Sequence, residues 1–370
     1  MEILIYLVAI VALVVAHIWF WKRHYSRLRL PDERHFVATE DGWRIALNRI
    51  RANPEGPGGG RPVICCHGLA CNHRFFDLDA EYSLGRHLAE QGFDVFLLDL
   101  RGAGGSEKPG FFGKGWTYGI IDHARFDVPA ALEHVRTLTG EREVLWVGHS
   151  MGGLVALLAG AEGRIDDLGG LITLGTPTHP DPVRAHWGGI ARWLRYLDWL
   201  PSARIARWCA LVLPFAGRVP ARPVERMFFH PEHMRPTTQR AFMAEVLEDV
   251  PRKVIRNFVD AILHRQGLDG RPADQTLTRL EGVKWPYLAI AGNLDRMAPI
   301  ASVQAGFEAM GSPHKHMEVL GGADGDWGHV DLVLGHRAPE VVYPRVSRWL
   351  LERASTRETS SEEAPSDPAS

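Results

Sequence analysis

The sequence predicts an α/β fold: a mostly parallel central sheet with helices on both faces, an all-helical insertion late in the chain, and one N-terminal transmembrane helix. Two observations concern the globular part. Short apolar runs rich in β-branched residues alternate with helical patterns between residues 63 and 174, and again from 286 to 353, as in βαβ units. Between residues 178 and 284 that alternation stops, and only stripes of helical period recur. The third concerns residues 3–21, which contain no Lys, Arg, Asp or Glu. At about 1.5 Å per residue this run reaches roughly the ~30 Å of a bilayer's hydrocarbon core.

Composition sets wide bounds. The chain has 370 residues, 45% of them hydrophobic and 23% charged, which suffices for a large core plus an insertion. A formal net charge of −2 argues against nucleic acid as a partner. The cysteines are Cys65, Cys66, Cys71 and Cys209; no C-x-x-C pair or zinc spacing occurs, so reduced, buried thiols and no metal or organic cofactor are expected.

At the N-terminus, a cleaved signal peptide needs a basic start and a small-residue cleavage site. Here the run starts Met1-Glu2 and ends in Ile18-Trp19-Phe20-Trp21, which favours an uncleaved anchor. Trp19 and Trp21 suit an interfacial belt, and Lys22, Arg23, Arg27 and Arg29 predict that the C-terminal side stays in the cytoplasm. Asp41-Gly42 marks a hairpin between residues 35–39 and 43–50. Buried strands are predicted at 63–66, 94–98, 144–147 and 171–174, with helices over 80–91 and from Asp122 to about 138. In the insertion, Trp187, Ile190, Leu194 and Leu197 form one helical stripe. Pro201 ends it, and Ser202 is placed to cap a following helix; helices over 238–247 and 254–264 carry Phe242, Val246, Phe258 and Ile262. The insertion's aromatic residues are expected to pack its own core, with some lining an apolar acyl pocket over the C-terminal edge of the sheet. Strands at 286–291 and 316–320, a helix at 301–310 and a closing helix at 340–353 complete the fold, and 355–370 is expected to lack structure. The organisation reads as 1–30 anchor and basic flank, 31–177 core, 178–284 helical cap, 285–353 core, 354–370 tail.

The chemistry centres on Gly148-His149-Ser150-Met151-Gly152, a G-x-S-x-G sequence between a predicted strand and a helix of small residues. A turn this sharp forces its apex into a strained conformation, with the Ser150 Oγ exposed at a helix N-terminus. Acyl transfer through such a serine needs a base and a group to orient that base. Asp295 lies four residues past a buried strand, and His329 lies in a glycine-rich turn after the last strand, giving the chain order Ser150, Asp295, His329. Asp181 is the alternative acid. The N–H groups of Leu69 and Met151 are the candidate oxyanion hole. His67 and His149 read as supports for these loops, and Asp99 as a structural residue of the Arg101-Gly102-Ala103-Gly104 turn.

The motifs HGL (67–69), DLRGAGGS (99–106), GHSMGG (148–153), GNLD (292–295) and GHVD (328–331) occur in an order that resembles the α/β-hydrolase-fold serine hydrolases, over about residues 34–353. The His67 loop and WGHVDLVLG resemble the acid lipase and esterase branch. The elbow region also resembles polyhydroxyalkanoate synthases, which carry Cys where this chain has Ser150; epoxide hydrolases and haloalkane dehalogenases place Asp there. The resemblance implies a carboxylic-ester hydrolase acting through an acyl-enzyme. Its expected partners are a small-molecule or lipid ester and, through the N-terminal helix, a membrane. An acyltransferase using the same acyl-enzyme, or an inactive membrane scaffold, are the rival expectations.

Overall fold

A computed structural model describes residues 1–27, 29–110, 115–197, 202–219 and 222–362. After α1 (Glu2–Tyr25) come β1 (Glu33–Ala38), β2 (Arg44–Ile50), β3 (Pro62–Cys66), α2 (Leu84–Glu90) and β4 (Asp94–Asp99). A helix then runs as α3 (Ile120–Asp122), a π-helical turn (His123–Asp127) and α4 (Val128–Thr139), followed by β5 (Leu145–His149), α5 (Met151–Ala161) and β6 (Gly170–Leu174). The insertion holds α6 (Pro180–Leu194), β7 (Ser202–Ala203), α7 (Ile205–Val212), α8 (Arg222–Phe228) and α9 (Pro236–Ala241). A π-helical turn (Phe242–Val246), β8 (Val250–Pro251), α10 (Arg252–His264) and α11 (Ala273–Thr278) complete it. The chain closes with β9 (Tyr287–Gly292), α12 (Ile300–Ala309), β10 (Lys315–Leu320), α13 (Asp331–Leu334) and α14 (Ala338–Glu362).

Eight strands form one sheet in the order β1-β2-β4-β3-β5-β6-β9-β10, parallel except at the β1–β2 and β2–β4 pairs. Alternate residues of the central strands feed two cores. Val63, Cys65, Val147 and Ile172 pack with Leu84 and Leu88 of α2 and Val342 of α14. Ile64, Cys66, Trp146 and Leu171 pack on the other face with Val128 of α4, Val155 of α5 and Val303 of α12. Burial on both faces is why these strands read as continuous apolar runs. Sheet order puts β4 on one side of β3 and β5 on the other, so the loops leaving β3 and β5 diverge and open a crevice at their C-terminal ends.

Three expectations are corrected. The insertion is not all-helical: β7 and β8 pair antiparallel, each satisfying the other's backbone groups, so Ser202 lies in a strand and Arg204 precedes α7. Pro201 lies outside the described residues. The insertion's aromatics also do not all pack inwards. Trp187 and Leu194 do join Val259 and Ile262 of α10, but Trp193, Trp208 and Phe215 are exposed. Finally, α14 continues to Glu362, so the first part of the stretch expected to lack structure is helical, while 363–370 lie outside the described residues. Its Glu- and Arg-containing sequence simply extends a helix that already has a packed base.

Helix α1 is long and apolar enough to cross a membrane and is unburied along its apolar length. Its C-terminal end is docked. His17 Nε2–H donates to the Leu211 carbonyl of α7 (3.1 Å), and the Arg240 guanidinium stacks 5.2 Å from the Tyr25 ring. The segment that follows is strapped down: Arg74 donates to the carbonyls of Arg27 (2.7 Å) and Arg29 (3.2 Å), and Arg86 to that of Leu30 (2.9 Å). Arg27 also pairs with Asp79, and its N–H bonds the Glu245 carboxylate, which takes a further bond from Arg74.

Candidate active site

Ser150 stands between β5 and α5 with φ 52°, a conformation that costs a β-substituted residue about 1–3 kcal/mol. The surroundings hold it there. Its N–H donates to the Leu174 carbonyl (2.9 Å), its carbonyl accepts from Thr176 Oγ1 (3.0 Å), and the fully buried Trp146 donates from Nε1 to the Gly152 carbonyl (3.1 Å). Met151 opens α5, so its N–H is among those with no acceptor inside the helix, at the positive end of the dipole.

Asp295 and His329 follow the adjacent strands β9 and β10 and meet at 2.7 Å, Nδ1 to Oδ2, with both residues buried. The other carboxylate oxygen accepts from the N–H groups of Met297 (2.8 Å) and Ala298 (2.7 Å), which fixes the acid. With Nδ1–H donating to the carboxylate, Nε2 of His329 keeps a lone pair for proton abstraction. Gly175 permits the pairing. Its φ is 55°, and a Cβ there would fall 2.9 Å from Asp295 Oδ2 and 3.1 Å from His329 Nδ1. His149 packs its ring 4.6 Å from that of His329 and donates from Nε2 to the His329 carbonyl (3.1 Å). Burial, and then the neighbouring His329, hold the His149 imidazole well below the usual histidine range, so it stays neutral.

The loop leaving β3 closes the other side. A Cβ on Gly68 would lie 3.1 Å from the Ser150 Cβ, so this loop runs directly against the elbow. His67 fixes it by donating from Nδ1 to the Gly68 carbonyl (2.9 Å) and accepting the Leu100 N–H at Nε2 (3.3 Å), and burial lowers its pKa. Ala70, next to Leu69, has φ 58°; three described non-glycine residues have positive φ, and two of them flank this site. Leu69 and Met151 border a narrow cavity together with Leu100, Tyr118, His123 and Val254. Its insertion-derived wall, Glu248, Asp249, Val250, Pro251 and Val254, carries two acids and no aromatic residue.

Asp181 sits in the first turn of α6, ion-paired with Arg265, while His329 takes Asp295. Asp99 is buried and ties two loops to β2: it accepts from His73 N–H (2.7 Å), Gly105 N–H (2.9 Å) and Asn48 Nδ2 (3.1 Å). Burial pushes its carboxyl up, but the charge and hydrogen bonds of His73 outweigh that and hold it below the ordinary range. Two supports had no role assigned from sequence. Asp331 takes the Gly328 N–H (2.9 Å), and the Phe228 carbonyl of α8 takes the N–H groups of His329 (3.2 Å) and Val330 (2.9 Å). Asp331 could have been suspected from its place in the GHVD motif; a backbone carbonyl leaves no sequence signal. Among the described residues, no group of three or more His, Cys, Asp or Glu is arranged to hold a metal ion.

An elbow serine, a buried His–Asp pair and a β3 loop on one parallel sheet define a hydrolase-type scaffold. The chain belongs to the α/β-hydrolase fold family, whose pattern matches residues 61–335; residues 23–78 also match a partial α/β-hydrolase lipase region. Among curated proteins it is 34% identical over 137 residues to human lysosomal acid lipase/cholesteryl ester hydrolase, covering 35% of this chain and 34% of the relative. It is 31% identical over 137 residues to human gastric triacylglycerol lipase, covering the same shares, 35% and 34%. The chain thus spans about a third of the length of the curated relatives it matches. Among solved structures, an esterase from Exiguobacterium antarcticum overlays with TM-score 0.56 at 18% identity, covering 85% of this chain and 98% of that one. Paleococcus ferrophilus monoacylglycerol lipase overlays with TM-score 0.55 at 18% identity, covering 83% and 99%. These two likenesses concern the fold.

Proposed function

We propose that the protein is a membrane-anchored serine hydrolase that cleaves lipophilic carboxylic esters, with Ser150 as nucleophile, His329 as base and Asp295 as its orienting acid. The carrying observation is the strained Ser150 turn packed against a buried His329–Asp295 hydrogen bond of 2.7 Å. In the acylation step, His329 Nε2 takes the Ser150 proton as Oγ attacks the ester carbonyl. Asp295 stabilises the resulting imidazolium, which then protonates the departing alcohol. The N–H groups of Leu69 and Met151 hold the oxyanion, each worth about 3–4 kcal/mol. Water activated by His329 then releases the acid and restores Ser150. Residues 178–284 act as the cap over residues 31–177 and 285–353. Residues 1–30 act as a single-pass anchor that leaves the catalytic body on the cytoplasmic side. Retention of α1 is supported by its bond from His17 to the cap, which a cleaved leader would not need. Lipophilic substrates are supported by the anchor and by the names of the curated relatives.

Ser150→Ala should abolish p-nitrophenyl ester turnover and labelling by a fluorophosphonate probe. Labelling of that variant at the wild-type level would remove Ser150 as nucleophile. An acyl-chain-length series on the full chain in detergent should rise towards long chains; a preference for acetyl esters would contradict the lipophilic substrate.

A further inference from the structure

The apolar surface of the insertion is concentrated on one side. On α7 and the turn after it, Ala210, Leu213 and Pro214 face inwards and are buried. Trp208, Val212, Phe215 and Val219, on successive turns, face outwards; Trp208 is 69% exposed and Phe215 57%. A monomer scatters such residues singly, whereas a contiguous set marks an interaction surface. Its charge is equally one-sided. Residues 183–228 contain eight arginines, no lysine and two acids. Arg207, Arg218 and Arg222 border the apolar row and are exposed, Arg207 with its Nε 3.5 Å from Asp249.

The position of α1 says what covers this surface. The contact between α1 and α7 is made at His17, four residues nearer the start of the chain than Trp21. At 1.5 Å per residue, that is about 6 Å along the helix axis from Trp21, on the lipid side of the aromatic belt. With α1 across a bilayer and Trp19 and Trp21 at the interface, α7 cannot stand clear of the headgroups. The strap from Arg74 to the carbonyls of Arg27 and Arg29 prevents the catalytic body from swinging away on a loose linker.

We propose that the outer face of α7 and the following turn, led by Trp208, Val212 and Phe215, docks into the anionic leaflet that α1 enters, with the flanking arginines on lipid phosphates. This rests on the anchored-hydrolase reading above. A helix with an apolar face, aromatic side chains and arginines at its border lies in the boundary between headgroups and acyl chains, and guanidinium groups match phosphate oxygens bidentately. The helix that follows in the chain, α8, supplies the Phe228 carbonyl that holds the His329 loop, so the docked segment leads directly into a support of the candidate site.

The test is photolabelling of the full chain in vesicles by a phospholipid with a diazirine in its acyl chain. The vesicles contain phosphatidylcholine with or without phosphatidylglycerol. Trypsin releases residues 1–22 of the anchor and residues 208–218 of the docking face as separate peptides, cut at Lys22 and at Arg207 and Arg218. Adducts are expected on both, with those on 208–218 rising about threefold or more when the anionic lipid is present. Trp208→Glu with Phe215→Glu should remove adducts from 208–218 and leave those on 1–22. Adducts on 1–22 alone in the wild type would overturn the docking and leave the anchor standing. Adducts on neither peptide would overturn the anchor reading itself. A dimer of doubled mass in the vesicles with 208–218 protected would assign the face to a second copy of the chain and overturn the lipid contact.

Discussion

The sheet and the insertion above it share two apolar cores, but the insertion adds a set of ion pairs and an exposed aromatic face. The central strands bury alternate side chains in two apolar cores, and Trp146, Val147 and Ile172 are wholly excluded from water. The insertion is fastened to this body by side chains that enter the same two cores, among them Met234, Val246, Val250 and Val254, and also by ion pairs: Arg271 and Arg279 to Glu162, Lys253 to Asp122, Lys108 to Glu248, and Arg74 to Glu245. Apolar burial gives one rigid arrangement, which a strained serine and a tightly bonded His–Asp pair require. The insertion differs in that it also carries large aromatic residues on its outer surface, Trp193, Trp208 and Phe215. Damage in the sheet is expected to cost chemistry and stability together, while damage to the outer face of the insertion is expected to cost less.

The largest effect is expected at the acid. Asp295→Asn should lower kcat on a p-nitrophenyl ester by about 10⁴-fold, because the amide no longer holds the Nδ1–H tautomer. Asp181→Asn, on α6, should stay within about twofold in steady-state kinetics, as a change outside the reacting groups does. A loss confined to the second variant would move the acid into the insertion. Next comes packing. Trp146→Ala should destabilise the protein by about 3–5 kcal/mol in urea unfolding, through the cavity it leaves and the lost bond to Gly152. Trp208→Ala, on the exposed row, should fall within about 0.5 kcal/mol of the parent. Equal costs would mean that the insertion's outer aromatics are core residues after all. Gly175→Ala should reduce kcat by about 100-fold while the circular dichroism spectrum is retained, since its Cβ displaces the His329–Asp295 pair by a fraction of an ångström. Normal kinetics in that variant would show that the pair tolerates displacement.

The smallest effect concerns pH. Hydrogen bonds from Arg125, opposed by partial burial and reinforced by Arg271, lower the Glu162 carboxyl from 4.5 to about 2. A carboxyl with a depressed folded-state pKa stabilises the fold fully above its unfolded value and loses that contribution as pH falls through the folded value. The fastening of the insertion at Glu162 should therefore be intact at pH 5 and above and weaken between about pH 4.5 and 2. Glu162→Gln should cost about 1–2 kcal/mol at neutral pH and flatten that acid-side loss. Thermal melts of both proteins from pH 7 to 3 check this, and parallel curves would discard the assignment.

The two regions also differ in how far the sequence discloses them. Strands β3, β4, β5, β6 and β9 were legible because burial on both faces leaves an uninterrupted apolar run bounded by glycine, proline or charge. The meeting of Asp295 and His329 was legible in part: both lie just past the ends of strands, and those strands prove to be neighbours in the sheet. Asp181 also follows a strand, but Pro180 starts α6 at once and carries the acid outwards to Arg265. The insertion was legible only as helical. Many of its elements are short, α8 and α9 starting at or next to a proline (Pro223, Pro236), and a two-residue strand pair such as β7–β8 has no periodicity to detect. Nor does a stripe of apolar residues say whether it faces a core or the outer surface, as Trp187 and Trp208 demonstrate in one segment.

The Glu245 carboxylate receives Arg27, from the stretch just after α1, and Arg74, from the core, while belonging to the insertion itself. Three parts of the molecule are therefore knotted at one side chain. A version cut at residue 30 would lose one strand of that knot along with α1. Its insertion would be restrained by fewer bonds than in the whole protein, and its rates would describe a looser enzyme. Kinetic constants meant for the native protein belong to the full chain.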